Sequence, residues 1–133
     1  VHLFFYGVLL QGSADWPFLR GLGPGRPATT CGALYALPDP LGWYPALIPG
    51  EGSGAGVILG RVHEAGGIDL AALDAFEGAD YARRLVPVVV KGGSLWAEAY
   101  VWAMPLPLGA ELIAHGDFPR WLTETGRAPY CGP

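Results

Sequence analysis

The chain reads as an α+β protein: an antiparallel sheet or small closed barrel carrying a few helices at its edge. Three observations predict this. Five segments with strand character follow one another with mostly short turns between them. Only two segments have convincing helical character, too few for one helix per strand crossing. Half of the 133 residues are apolar, 51%, while only 15% are charged, so a sizeable core is available in one domain spanning residues 1–133.

The strands follow in order. HLFFYG, from His2, is an almost unbroken apolar run, as a buried strand requires. CGALYALP, from Cys31, sets Ala33, Tyr35 and Leu37 against Leu34 and Ala36. GVILGRVHEA, from Gly56, is the third. RLVPVVVK, from Arg84, is the fourth, and Pro87 assigns it to an edge or a bulge, since proline cannot donate to a ladder. LWAEAYVWAM, from Leu95, is the fifth: Trp96, Glu98, Tyr100 and Trp102 alternate with Leu95, Ala97, Ala99 and Val101. KGGS joins the last two as a hairpin turn. Stretches rich in Gly and Pro, from Gly21 to Pro27 and from Leu37 to Gly56, read as loops, the second holding the apolar wall WYPALIPG.

Helical periodicity appears in DLAALDAF, with Asp69 as N-cap, and in FPRWLTETG, with Gly126 as stop. ADWPFLRGLG, from Ala14, is a candidate for a further short turn. In the first helix Leu70, Leu73 and Phe76 form the apolar stripe. At about 100° per residue Glu77 falls within the arc of that stripe, and Asp74 lies roughly 40° from Leu70 on its flank. A carboxylate at Glu77 then faces inward or toward a cavity rim. There it serves either as an acid satisfied by backbone donors or as a general acid/base with a raised pKa. Tyr81 and Arg83, just after it, read as the polar start of the next strand or as groups that orient the carboxylate or a substrate. Gly7 has two readings as well: a bulge or close approach within the sheet, or an opening that exposes backbone N–H donors to a ligand.

Charge and spacing exclude other classes. The net charge is −4 and the nearest approach to a basic cluster is Arg83-Arg84, so no nucleic-acid partner is expected. No segment supplies the roughly 20 clean apolar residues of a membrane helix; the best, from Leu95 to Ala114, is broken by Glu98, Pro105, Pro107 and Glu111. The first residues lack the positive stretch of a signal peptide, and a cytoplasmic location is expected. Cys31 and Cys131 are far apart and read first as two free thiols, with a single disulfide as the alternative. His2, His63 and His115 are scattered, so no metal is expected. No Ser-His-Asp order, phosphate loop or dinucleotide fingerprint occurs. Aromatics near Trp102 and Trp121 are candidates for a homodimer contact.

Four segments together carry a resemblance. FFYGVLLQG, YPALIPGEG, GRVHEAGGIDLAALDAFEGADYARRLVPV and AEAYVW resemble, in order and spacing, the gamma-glutamylcyclotransferase-like (AIG2-like) superfamily over roughly residues 3 to 102. The family opens on a strand ending Y-G-[ST]-L, continues through an aromatic-Pro segment, and has a short helix reading L-D-x-x-E-G followed by Y-x-R. The resemblance implies a small, mostly antiparallel β-barrel with flanking helices. It implies that Tyr6, Gly7, Val8 and Leu9 form a substrate loop whose main-chain N–H groups hold a γ-glutamyl group. It implies that Glu77 is the catalytic acid/base, beside Tyr81. No metal or cofactor belongs to that chemistry; the partner is a small γ-glutamyl substrate. One residue departs from the pattern: Val8 stands where the family has Thr or Ser, which keeps the backbone donor and removes a hydroxyl.

Overall fold

A computed structural model describes residues 1–7, 20–50, 52 and 54–130. Seven strands and two helices run in the order β1 (His2–Phe5), β2 (Arg26–Asp39), β3 (Gly42–Pro49), β4 (Gly56–Glu64), α1 (Leu70–Glu77), β5 (Tyr81–Val90), β6 (Gly93–Trp102), β7 (Glu111–Leu112) and α2 (Phe118–Thr125). Strands β2, β4, β1, β6 and β5 close into a five-stranded barrel, because β5 returns to β2 through the pairs Ala28 with Val90 and Thr29 with Val89. Among the described residues every pairing between these strands is antiparallel except that of β1 with β6, and an isolated parallel bridge joins Trp43 to Pro129. The expected architecture, a small and mostly antiparallel barrel with flanking helices, is the one observed.

β1 is buried on both faces, which explains its continuous apolar run. Phe4 points into the main core with Leu34, Leu47, Ile58, Val62, Val86, Val88, Ala97, Ala99 and Val101. Leu3 and Phe5 point the other way, into a second cluster with Ala65, Leu73 and Tyr100 beneath α1. Burying one such side chain contributes about 1.5–3 kcal/mol, so α1 is fastened to the barrel chiefly through Leu73. Phe118, Trp121 and Leu122 bring α2 onto the main cluster.

Several expectations require correction. The second strand begins at Arg26, not Cys31, and is 14 residues long because it pairs with four strands, β4 and β5 along its first half and β3 and β7 along its second. Arg26 to Gly32 pair with β4, and Gly32 to Asp39 pair with β3. Gly32 sits at the changeover, where a Cβ would come within 2.5 Å of the Ile48 carbonyl oxygen. Trp43–Gly50 is not a loop but mostly strand β3. Its prolines, Pro45 and Pro49, are tolerated because β3 lies at the end of the strand order. Pro87 lies beside the two-residue ladder to β2 and outside it, and its carbonyl accepts a hydrogen bond from the Thr30 hydroxyl at 2.7 Å. Phe76 is 47% exposed, since α1 stops one residue later and only Leu73 reaches full burial. Trp121 is buried, edge-on to Trp43 and stacked on Phe118, with the Arg127 guanidinium over both indoles. It is therefore not an exposed contact residue. The turn expected from Ala14 falls largely outside the described residues, as does Cys131; Cys31 is exposed and free.

Candidate active site

The site is built at the C-terminal end of α1. Asp69 caps the helix by accepting from the Ala72 N–H at 3.0 Å. The helix ends at Glu77 because Gly78 takes φ 93°, a conformation costly for any other residue, while its N–H still bonds back to the Asp74 carbonyl. The chain turns at once into β5, so Tyr81 and Arg83 lie across from Asp74 and Glu77. Asp74, Ala75, Gly78, Ala79, Tyr81, Arg83 and Tyr100 line a pocket of about 490 Å³.

Two carboxylates three residues apart have opposite fates. Asp74 accepts hydrogen bonds from Arg83 Nε at 2.8 Å and from the Tyr100 hydroxyl at 2.5 Å. The Arg83 bond is the main reason its pKa lies below the ordinary carboxylate range. Arg83 also lies 3.5 Å from Glu98. Glu77 is largely buried, and its pKa is pushed up to about 7, first by loss of hydration and second by the negative charge of Asp74. One acid thus stays ionised while its neighbour exchanges a proton near neutrality, the division of labour that separates fixed charge from acid/base.

Three tyrosines are close enough to Glu77 for its charge to raise their pKa values, although burial is the larger cause in each: Tyr6, Tyr81 and Tyr100. Each hydroxyl has a fixed partner. Tyr6 donates to the Tyr100 carbonyl oxygen and accepts from the Leu47 N–H at 3.3 Å. Tyr81 donates to the Pro45 carbonyl oxygen at 2.5 Å. Gly7 is held against the same proline: a Cβ there would lie 2.9 Å from Pro45 Cγ. The close-approach reading of Gly7 therefore has a direct cause, and Pro45 ties the end of β1 to Tyr81.

Of the residues the sequence singled out, Tyr6 and Tyr81 thus come within electrostatic reach of Glu77 at the end of α1, Gly7 lies against Pro45, which Tyr81 bonds, and Tyr81 alone of the four lines the pocket. Val8 and Leu9 lie outside the described residues. Sequence reasoning missed the part played by Asp74 and Tyr100. Asp74 follows from the three-residue offset to Glu77 and the arginine opening the next strand. Tyr100 was visible only as a member of one of the two alternating rows of β6, with nothing to say that α1 covers it. Among the described residues no group of three or more His, Cys, Asp or Glu could hold a metal ion.

The profile of the family described as "Gamma-glutamyl cyclotransferase, AIG2-like" matches residues 3–120. The chain belongs to this family. No curated protein matches it in sequence. Among solved structures, the AIG2-like protein of Mus musculus is similar at a TM-score of 0.66 and 21% identity, over 99% of this chain and 97% of that one. YkqA of Bacillus subtilis gives 0.69 at 22% identity over 94% of this chain; the chain spans only 42% of YkqA's length. YtfP of Escherichia coli gives 0.56 at 29% identity, over 94% and 99% of the two chains. The first two likenesses are of fold. The AIG2-like barrel and its helices are therefore a shared scaffold on which the Glu77 corner described above is built.

Proposed function

We propose that the protein is a cofactor-independent cyclotransferase that converts a γ-glutamyl amine or peptide to 5-oxoproline and releases the amine. The observation that carries this reading is Glu77: a largely buried carboxyl that titrates near 7, coupled to the Tyr6 hydroxyl at the root of the Gly7 turn. A γ-glutamyl amide brings its own nucleophile. Once the substrate is folded, its α-amino nitrogen reaches the γ-carbonyl carbon and closes a five-membered ring, and holding that conformation removes much of the entropic barrier. Glu77 in its ionised form takes a proton from the α-ammonium. The amine attacks, the C–N bond forms, and the carbonyl oxygen becomes an oxyanion. Glu77 then hands its proton to the departing nitrogen, the oxyanion collapses to the lactam carbonyl as the old C–N bond breaks, and the ring nitrogen gives its second proton through Glu77 to the released amine or to water. The main-chain N–H groups of the segment Tyr6, Gly7, Val8 and Leu9 are assigned to the substrate and the oxyanion. Tyr81 keeps Pro45, and so Gly7, in place.

A second reading is a binding module that keeps the pocket without turnover; Val8, lacking the hydroxyl usual in the family, favours it. Loss of one such hydrogen bond costs about 1–3 kcal/mol when its partner is left unsatisfied. The cytoplasmic location and homodimer expected from the sequence belong to the proposal; among the described residues no helix is long and apolar enough to cross a membrane. The deciding experiment incubates the protein with a panel of γ-glutamyl amines and peptides and follows 5-oxoproline. Turnover that Glu77→Gln abolishes in a folded protein supports the enzyme. Ligand-dependent melting shifts without product support the binding module.

A further inference from the structure

We propose that Asp74 is a positioning residue that governs when Glu77 carries its proton: clamped between Arg83 and Tyr100, it holds a fixed negative charge one helical turn before the acid/base. The inference rests on the reading of Glu77 as the acid/base, yet its own test does not need turnover.

The geometry is specific. Asp74 and Glu77 are separated by three positions on α1, which places their side chains on neighbouring parts of the helix surface, about 5–6 Å apart at Cβ. Asp74 is bonded through both oxygens to Arg83, at 2.8 and 3.3 Å, and through Oδ1 to the Tyr100 hydroxyl at 2.5 Å. Two strands of the barrel wall, β5 and β6, thereby fix a carboxylate belonging to the helix. Asp74 is the charged group that acts on Glu77; Tyr6 at the end of β1, Tyr81 on β5 and Tyr100 on β6 feel the charge of Glu77 in turn, and Asp80, just before β5, acts on Tyr81. The tyrosines are neutral across the working pH range, because burial raises each of them. Arg83 is shared between Asp74 and Glu98. One guanidinium divided between two carboxylates leaves Asp74 incompletely neutralised, and its negative charge opposes ionisation of Glu77. Burial is the larger cause and Asp74 the second, so Asp74 is the part that a substitution can remove without opening the core.

The arrangement also bears on chemistry. Too low a proton affinity at Glu77 gives a carboxylate that is always ionised but a poor base toward an ammonium; a raised one matches the proton it must move. The Asp74 charge supplies that match from outside the reacting atoms, which it does not touch.

The test reads Glu77 directly. Protein labelled with ¹³C at glutamate Cδ is titrated by NMR, with Glu77→Gln identifying the resonance. Asp74→Asn keeps the side-chain shape and removes the charge; it should lower the Glu77 midpoint by about half to one pH unit. Arg83→Gln breaks the same ion pair but leaves the Asp74 charge unneutralised, so the midpoint should hold or rise. A purely structural role for the pair would move both variants the same way. An Asp74→Asn midpoint equal to that of the unmodified protein, or an Arg83→Gln midpoint that falls, overturns the proposal. Should Asp74→Asn not fold, Arg83→Gln alone decides by direction. If the midpoints move as stated while no γ-glutamyl compound is cyclised, this inference stands and the catalytic reading falls. If turnover depends on Glu77 but Asp74→Asn leaves its midpoint in place, the reverse holds.

Discussion

Replacing Glu77 by Gln removes a charge from a place that resists charge, and the consequence for stability can be worked from the structure. An ordinary glutamate titrates at 4.5, whereas Glu77 titrates at about 7. The folded protein therefore binds this proton more tightly than the unfolded chain does. The stability contributed by the protonated carboxyl is complete below pH 4.5, declines as pH rises, and is gone once pH passes about 7. At about 1.4 kcal/mol per pH unit the whole effect is on the order of 3 kcal/mol. Glutamine has nearly the same shape and never ionises. Glu77→Gln should match the unmodified protein near pH 5 and exceed it by roughly 2–3 kcal/mol at pH 8.5, about 10 °C in Tm for a chain of this size. Urea denaturation of both proteins at several pH values between 5 and 8.5 measures this, since groups common to both cancel in the difference. Two stability curves that run parallel over that range would refute the reasoning: the carboxylate would then be hydrated, and its fitness as an acid/base near neutrality would be lost.

Other expectations follow from the same geometry. With any substrate that is turned over, kcat/KM should rise with pH through about 7 as Glu77 loses its proton; a profile flat from pH 5 to 9 would count against an ionised Glu77 as the base. Tyr6→Phe leaves the Leu47 N–H and the Tyr100 carbonyl without the hydroxyl between them and should cost about 1–2 kcal/mol in chemical denaturation. Gly116→Ala should cost at least about 2 kcal/mol, because φ is +75° and a Cβ would sit 1.8 Å from the Val57 carbonyl oxygen. Arg127→Ala removes a cation from over two indole faces. It should lower stability by about 1 kcal/mol and change the tryptophan fluorescence.

What the sequence made legible was whatever local pattern controls. The period-two run of β6, the Asp69 cap, the Gly126 stop and the hairpin between β5 and β6 are decided within a few residues, and each stands where it was expected. The inward turn of Glu77 was legible for the same reason, since helix angle alone places it among Leu70 and Leu73. What was not legible depends on partners far along the chain. Prolines at 45 and 49 signal a loop until the neighbouring strand order makes β3 an edge. Phe76 belongs to the stripe by angle, but whether it is covered depends on where α1 ends over β1 and β6. Trp121 looks like a free aromatic until Arg127 and Trp43 are seen to enclose it. The clamp on Asp74 joins one helix to two strands; the arginine opening β5 signals one half of it, and no spacing in the sequence brings in Tyr100.

The parallel contact between β1 and β6 has a consequence for how the chain is made. Leu3 is set beside Glu98, so β1, made well before β6, waits for it before its second edge is sealed. Until then His2–Phe5 can be zipped only to β4, leaving a greasy ribbon with one bare margin. Synthesis thus delivers a largely apolar strand well before its cover. The nascent chain passes through a stage at which crowding or a shortage of chaperones would harm it most.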